Sequence, residues 1–161
     1  MHGNAGAVGS MPLGRVAGDG RERPAQLLSV ASLFNLEALY VARGLDPAAA
    51  GDARALQPPW AEATEAWLRD AAPAVALAVN SAACLLDLEG VILDGSVDAA
   101  LLQRLLERTT AALDGYSWEG VTRPALLAGT IGSDARAIGG ALLPLYAHFA
   151  PDRDLFLKLE A

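Results

Sequence analysis

The most apolar part of the chain, residues 71–96, predicts one α/β unit in which a buried helix leads into a buried strand. Over residues 74–86 only two side chains are strongly polar, so we expect neighbouring elements to sandwich this helix. Residues 91–93 form an unbroken apolar run, which is typical of a strand covered on both faces in a parallel sheet. The glycine turn at 94–96 is therefore the expected ligand side of the sheet.

The N-terminal segment, residues 1–24, is rich in glycine and predicts a loop with one short strand at 10–13. A connecting loop is favoured over a phosphate-binding one, because the P-loop spacing and its lysine are absent. Beyond it, apolar residues at helical spacing predict a helix over 25–43 that ends at Gly44. A short second helix is expected to begin at Asp46, because the proline after it is tolerated in a first turn.

A third helix is predicted from Pro58-Pro59 onwards. It has one apolar stripe, which includes Trp60 and Trp67, and one charged face. We expect these tryptophans in the core rather than in a ligand platform. Pro73 should kink or break the helix before it continues into the apolar unit.

A second α/β connection follows the first glycine turn. Ser96 is expected to cap a helix that runs to Gly115, and residues 123–128 predict a second short strand. The glycine turn at 129–133 then leads into a last helix over 134–149. Because a helix separates the two strands, they should be parallel with a right-handed crossover, and their carboxyl ends should share one edge of the sheet.

Composition and charge narrow the possible functions. The 161 residues suit one domain with one core, and a net charge of −7 argues against binding nucleic acid or anionic membranes, because both need clustered Lys and Arg. The sequence has neither a basic and apolar leader nor an unbroken span of membrane length, so a cytoplasmic location is expected. The single cysteine, Cys84, lies in the apolar helix and is expected to be a buried small hydrophobe.

Side chains that could carry chemistry are few. The sequence has no His/Cys cluster with metal spacing, no Ser/His/Asp set that can be ordered and no carboxylate pair in an apolar setting. The two histidines, His2 and His148, have no evident partner. The residues alone therefore predict an α/β domain with two glycine turns, 94–96 and 129–133, on one side of a parallel sheet.

Four segments of the sequence resemble one family. GNAGAVGSMPL, QLLSVASLFNLEAL, SAACLLDLEGVILDGSV and ARAIGGALLPLY are similar, in this order, to the C-terminal half of the ROK family, which joins bacterial sugar kinases and sugar-responsive repressors. The resemblance implies the C-terminal lobe of an actin-like ATPase, or ribonuclease H-like, fold, helix-rich with a short, partly parallel sheet. We therefore expect residues 1–161 to be a single lobe and a fragment of a longer protein. Within it, residues 1–24 should form the glycine-rich loop and residues 25–161 the α/β core. The tail 152–161 has no assigned place.

The resemblance also implies which residues would contact a ligand in the cleft between two lobes. They come from the glycine loop, the first helix and the two glycine turns: Gly6, Gly9, Ser10, Ser32, Asp94, Gly95, Gly129 and Gly132.

The sequence departs from the family at residues that matter for chemistry. Ala7 and Ser10 stand where the family has a Glu and a His that hold sugar hydroxyls, and Leu28 stands where it has another Glu. Asp94 replaces the first of two glycines that approach nucleotide, which puts a carboxylate where a phosphate would be repelled. Residues 14–24 lack the cysteines of the family's zinc motif, so neither zinc nor another cofactor is expected.

These departures favour the effector-sensing and assembly half of a ROK-type transcriptional repressor without kinase activity. A regulator that only reports ligand occupancy tolerates the loss of groups that position a sugar for phosphoryl transfer. A sugar effector and self-association into a homo-oligomer are expected, and DNA would be contacted only through an upstream domain absent from these residues. Two alternatives remain: the C-terminal half of a sugar kinase that uses ATP, and a vestigial structural domain without ligand.

The acidic composition leads to a first prediction. The isolated chain should not bind duplex DNA at physiological salt, because non-specific affinity comes from the neutralisation of phosphates by Lys and Arg. A gel shift over a salt series measures this binding. Salt-sensitive retardation by the isolated chain would show that its surface charge has been misjudged.

Overall fold

The computed structural model describes residues 7–14 and 24–149, apart from the side chains of residues 136 and 146–149. Helices form most of this part of the chain, and two short strands complete it, so the protein belongs to the α/β class. The elements are α1 (Leu27–Ala31), α2 (Leu33–Val41), α3 (Ala61–Leu85), β1 (Gly90–Leu93), α4 (Ala99–Leu113), β2 (Ala125–Ala128) and α5 (Ala135–Phe149). Short 3-10 turns lie at Ala7–Ser10, Pro47–Gly51, Ala53–Leu56 and Gly132–Asp134.

The two strands form a parallel pair in which Gly90 is opposite Ala125 and Leu93 is opposite Ala128. The connection between them contains α4, as the predicted strand, helix, strand order requires. Both strands therefore end at the same edge of the sheet, and the glycine turns that follow them are neighbours. The predicted parallel pairing is confirmed.

The main core surrounds the first half of α3. Trp67 and Leu68 of this helix pack with Leu36 and Tyr40 of α2 and with Leu101 of α4, and all five side chains are buried. Alanines fill much of the remaining interface, which lets the helices approach closely. The apolar stripe predicted for this helix is therefore confirmed, with Trp67 in the core as expected.

A buried hydrogen-bond chain joins α2 to α3. The hydroxyl of Thr64 donates to the carbonyl oxygen of Ala55 at 2.6 Å, and Tyr40 Oη lies 2.6 Å from Thr64 Oγ1. Because the Thr64 proton is used on Ala55, the Tyr40 hydroxyl is the donor to Thr64. Burial raises the pKa of Tyr40, which keeps its hydroxyl protonated as this chain of bonds requires.

The prediction of a single helix over 25–43 is wrong in one respect, because this segment forms two helices, α1 and α2. Ser32 has an extended backbone, with φ −74° and ψ 152°, and its hydroxyl accepts a hydrogen bond from the Asn35 amide at 3.2 Å. It therefore ends α1 and caps α2. Apolar spacing continues across this break, so periodicity alone does not reveal it.

Pro73 neither breaks nor ends its helix, since α3 is continuous from Ala61 to Leu85. Pro73 lies on an exposed position of the helix, where water can satisfy the carbonyl that its missing amide leaves free.

The cap of α4 is a different residue from the predicted one. Asp98, not Ser96, accepts hydrogen bonds from the amides of Ala100 and Leu101, at 2.9 and 3.2 Å.

Among the described residues, other elements cover one face of the sheet and leave the opposite face open. Val91 and Leu126 pack against Ala76 and Val79 of α3 and Leu113 of α4. On the opposite face Ile92 and Leu127, which pair in register, are 66% and 52% exposed. The prediction of a strand covered on both faces is therefore wrong here.

Other apolar side chains are exposed as well. The end of the predicted sandwiched helix is open, with Leu85 83% exposed, and Cys84 is exposed rather than buried. The described side chains of α5 are all exposed, among them Ile138, Leu142, Leu143 and Leu145. The burial predicted for this end of the helix over 74–86 is therefore wrong, because Leu85 and Cys84 are exposed.

The Tyr40 and Thr64 pair leads to a second prediction. Replacing Thr64 by valine keeps the shape but leaves the Tyr40 hydroxyl and the Ala55 carbonyl without their partner. The free energy of unfolding should fall by about 1–3 kcal/mol. Chemical denaturation measures it.

Thr110→Val is the matched control, because the Thr110 hydroxyl makes the same kind of bond to the Leu106 carbonyl on an exposed helix face. This variant should change stability by less than about 0.5 kcal/mol. Equal effects of the two substitutions would contradict the role given to the buried pair.

Candidate functional site

The candidate site lies at the edge of the sheet where both strands end. Asp94 follows β1 directly and Gly129 follows β2, and the amide of Gly129 donates to the Leu93 carbonyl at 2.7 Å. This bond continues the strand pairing into the turns and holds them side by side. In open α/β sheets, ligands bind outside the carboxyl ends of parallel strands.

The Asp94 carboxylate links the two turns. Its Oδ1 accepts hydrogen bonds from the amides of Gly95 at 2.8 Å and Gly132 at 3.0 Å, and its Oδ2 accepts one from the amide of Ile131 at 3.2 Å. Converging backbone amides of this kind form an anion-binding nest. In this chain a side chain of the protein itself supplies the anion.

The electrostatic effect on Asp94 follows from these bonds. Hydrogen bonds from the Gly95, Gly132 and Ile131 amides, that of Gly95 first, lower the pKa of the Asp94 carboxyl below its usual value. Partial desolvation opposes the shift without reversing it. Asp94 is therefore ionised at neutral pH and is not a candidate general acid.

Two glycines make room for this arrangement. A Cβ atom at residue 129 would overlap the Asp94 side chain, so only glycine fits there. Gly132 has φ 58°, in the left-handed region that glycine favours, and this conformation belongs to the turn that presents its amide to the carboxylate. The conformation of the second glycine turn therefore fits the Asp94 side chain both sterically and by hydrogen bonding.

A cavity of about 260 Å³, partly open to solvent, lies beside this link. Asp94 and Gly95 form part of its wall, and most of the other lining side chains are apolar. They come from the four helices α1 to α4 and include Ala31, Leu33, Trp67, Val75, Leu102 and Leu105. A concave site with such a lining suits a small molecule whose body is largely apolar.

The other residues expected to contact a ligand are placed elsewhere or have other contacts. Ser32 uses its hydroxyl to cap α2, although its neighbours Ala31 and Leu33 line the cavity. Gly9 packs closely against the Leu28 side chain, and Ser10, the last residue of the same 3-10 turn, is exposed. Gly6 lies outside the described residues.

The structure therefore groups four of the eight expected residues, Asp94, Gly95, Gly129 and Gly132, around one carboxylate. Two further residues, Ile131 and Trp67, belong to this site although the sequence does not indicate them as ligand contacts. The Ile131 contact comes from its backbone amide, so no side-chain pattern could indicate it. Trp67 was assigned to the core, which is correct, but its position on the cavity wall depends on the packing of distant segments.

Neither a metal-binding cluster nor a membrane-spanning helix occurs among the described residues. No cluster of three or more His, Cys, Asp and Glu side chains with metal-binding proximity occurs among residues 7–14 and 24–149. Within these residues, no helix combines the length and the apolar character that crossing a bilayer requires.

Comparison with known proteins does not assign the chain to a family. No protein-family model matches the sequence, and no curated protein matches it significantly. The resemblance to the ROK family therefore stays a prediction.

The lowered pKa of Asp94 leads to a third prediction. A carboxyl whose pKa is lower in the folded than in the unfolded protein stabilises the fold above its unfolded pKa, about 3.9, and loses this effect as the pH falls through the folded value. Asp94→Asn should therefore be less stable than the wild type at pH 7, and the difference should shrink below about pH 4.

Thermal unfolding of both proteins between pH 2.5 and 8 measures this difference. Asp70→Asn is the control, because the exposed Asp70 carboxylate accepts no hydrogen bond from a described backbone amide and pairs loosely with Arg69, at 3.9 Å. Its stability difference from the wild type should be small at every pH. An Asp94→Asn difference that is independent of pH would mean that the carboxylate charge does not hold the turns together.

Proposed function

We propose that this chain is the effector-sensing and assembly half of a ROK-type transcriptional regulator and has no kinase activity. Its α/β unit would be the C-terminal lobe of an actin-like ATPase fold. A small-molecule effector, a sugar by the resemblance, would bind at the carboxyl ends of β1 and β2. The observation that carries the proposal is the Asp94 carboxylate in the amides of Gly95, Ile131 and Gly132.

The position of Asp94 argues against a nucleotide at these turns. A phosphate bound there would need the amides of Ile131 and Gly132, which already donate to the carboxylate. It would also meet a second negative charge, and like charges a few ångströms apart repel strongly where water is partly excluded. A phosphoryl-transfer enzyme needs positioned phosphate, so this lobe fits a binding role better than a catalytic one.

The absence of the family's sugar-positioning groups also supports a binding role over a catalytic one. Ala7, Ser10 and Leu28 stand where a Glu, a His and another Glu would orient sugar hydroxyls in the family. General base catalysis contributes roughly 10²–10⁴-fold only when the reacting hydroxyl is held within hydrogen-bond reach. A base supplied by another lobe would therefore act on a poorly positioned hydroxyl.

The exposed apolar side chains support an assembly role. Ile92 and Leu127 form an open sheet face, and Phe34 on α2 is 78% exposed. Contiguous apolar surface on a protein marks contact with another protein chain or lobe. We propose that these surfaces are covered in a homo-oligomer or by the other lobe of the regulator.

The fourth prediction tests binding without turnover. Thermal unfolding of the purified chain should shift upward with at least one member of a panel of hexoses and pentoses. A coupled assay with ATP and the same sugars should detect no nucleotide consumption. Turnover near 1 s⁻¹ or above, the low end for typical enzymes, would contradict the proposal and favour the sugar kinase alternative.

A matched variant isolates the contribution of Asp94. Asp94→Gly restores the double glycine and frees the amides of Ile131 and Gly132, so it should bind ADP more tightly than the wild type does in calorimetry. Equal ADP affinity of the two proteins would show that the carboxylate does not block this site. No response to any sugar would favour the structural domain without ligand.

A further inference from the structure

Four arginine side chains lie together on one side of α3, although they are far apart in the sequence. They come from the turn after α2, from α3 itself and from α4: Arg43, Arg69, Arg104 and Arg108. The other two arginines with described side chains, Arg54 and Arg123, pair with aspartates near them in the chain. In a chain with a net charge of −7, folding therefore creates a local concentration of positive charge.

A groove of about 410 Å³, open to solvent, lies at this cluster. Its lining residues come from the turn after α2, from α3 and from α4: Arg43, Glu62, Glu65, Ala66, Arg69 and Arg108. The groove has the size of a small-molecule site, since such sites measure roughly 300–1,000 Å³. It shares no lining residue with the cavity beside Asp94, so it is a separate candidate site.

The Glu65 carboxylate in this lining is shared by two arginines of α4. Arg104 Nη1 donates to Glu65 Oε1 at 2.8 Å, and Arg108 Nη2 donates to Glu65 Oε2. Both carboxylate oxygens are therefore engaged, and the three side chains together keep one excess positive charge. A guanidinium group has five N–H donors, so the Arg108 side chain retains donors for a further acceptor.

The other two arginines of the groove have weaker partners. Arg43 Nη1 donates to the Leu39 carbonyl at 3.1 Å, and Arg43 forms no ion pair with a described carboxylate. Arg69 is four residues after Glu65, a spacing that suits a helical ion pair, but the Glu65 oxygens are bound by α4. The ion pair of Arg69 with Asp70 is long, at 3.9 Å, and largely exposed, so it adds little.

We propose that this groove binds a small phosphate-bearing anion, with Arg43, Arg69 and Arg108 donating to its oxygens. Guanidinium groups match the oxygens of phosphate and carboxylate better than ammonium groups do. Phosphate is favoured, because donors from three segments can approach its tetrahedral oxygens from different sides, whereas a carboxylate offers two oxygens in one plane. The site goes beyond the proposed function and does not depend on it.

Glu62 limits how much negative charge the groove can accept. It is the second carboxylate of the lining, and with Glu65 it leaves the four arginines an excess of two positive charges. This excess suits one small anion. It falls short of the several phosphate contacts that duplex DNA requires, so the expected absence of DNA binding is unchanged.

The test is a titration of the full 161-residue chain with inorganic phosphate, followed through the backbone amide signals by ¹H–¹⁵N NMR. Ionic strength is held constant with sodium chloride, because salt screens exposed charges. Saturable shifts are expected at the groove, at Arg43, Glu62, Ala66 and Arg69. Chloride alone at the same ionic strength should not produce them.

Variants of opposite charge effect sharpen the test. Arg43→Gln and Arg69→Gln should each weaken phosphate binding about three- to tenfold, because each removes a charge-assisted donor from an exposed site. Glu62→Gln should strengthen it about two- to threefold, because it removes a negative charge from the lining. Arg123→Gln is the matched control, since Arg123 pairs with Asp114 outside the groove, and it should leave the affinity unchanged.

The possible results separate the ligand sources and can overturn the inference. Absence of saturable shifts, shifts spread evenly over the chain, or equal weakening by Arg69→Gln and Arg123→Gln would each overturn it. Phenyl phosphate is titrated in parallel. If it binds at least as tightly as inorganic phosphate, a phosphate monoester is the ligand class, whereas weaker binding identifies the free anion.

Discussion

Burial of the small-residue face of α3 is the interaction on which the rest of the structure depends. Its buried alanines, from Ala63 to Ala78, allow α1, α2 and α4 to approach the helix axis closely. Glu65 on the same helix accepts hydrogen bonds from Arg104 and Arg108 of α4, which fixes the relative register of the two helices at the surface. Close approach gains dispersion and removes apolar area from water, without the rotamer entropy that larger side chains would lose.

The sheet depends on this helix pair in turn. Two strands of four residues are marginal in water by themselves and need a packed face. The face that carries Val91 and Leu126 is held by α3 and α4, and this support places the two strand ends at one edge. The candidate site is therefore an indirect product of helix packing, although none of its amides belongs to α3.

The local parts of this architecture could be predicted from sequence. Unbroken apolar runs indicated both strands, the intervening helix indicated parallel pairing, and glycine marked both turns. Periodicity failed where a side chain makes a specific hydrogen bond: the Ser32 hydroxyl splits a helix whose apolar spacing is continuous, and Asp98 caps α4 although Ser96 is an equally suitable residue type. Such choices depend on backbone geometry that composition does not encode.

The burial of side chains and the contacts of the site were harder to predict from the sequence, for a different reason. The sequence shows that Ile92 and Cys84 lie in apolar surroundings along the chain, but burial depends on which distant element covers them. In the same way Asp94 was expected near a ligand as an isolated negative charge. Its bonds to Ile131 and Gly132 involve backbone atoms more than thirty residues away, as the separations of 37 and 38 positions show.

The fit between Asp94 and Gly129 has a consequence for how this sequence can change. While position 94 carries a side chain that reaches into the second turn, position 129 has no room for a Cβ atom. Substitution at 129 first would push the carboxylate out of its amides, whereas loss of the carboxylate first would open the space. The order of substitution is therefore constrained, and a descendant with alanine at 129 should have reached it by way of a smaller residue at 94.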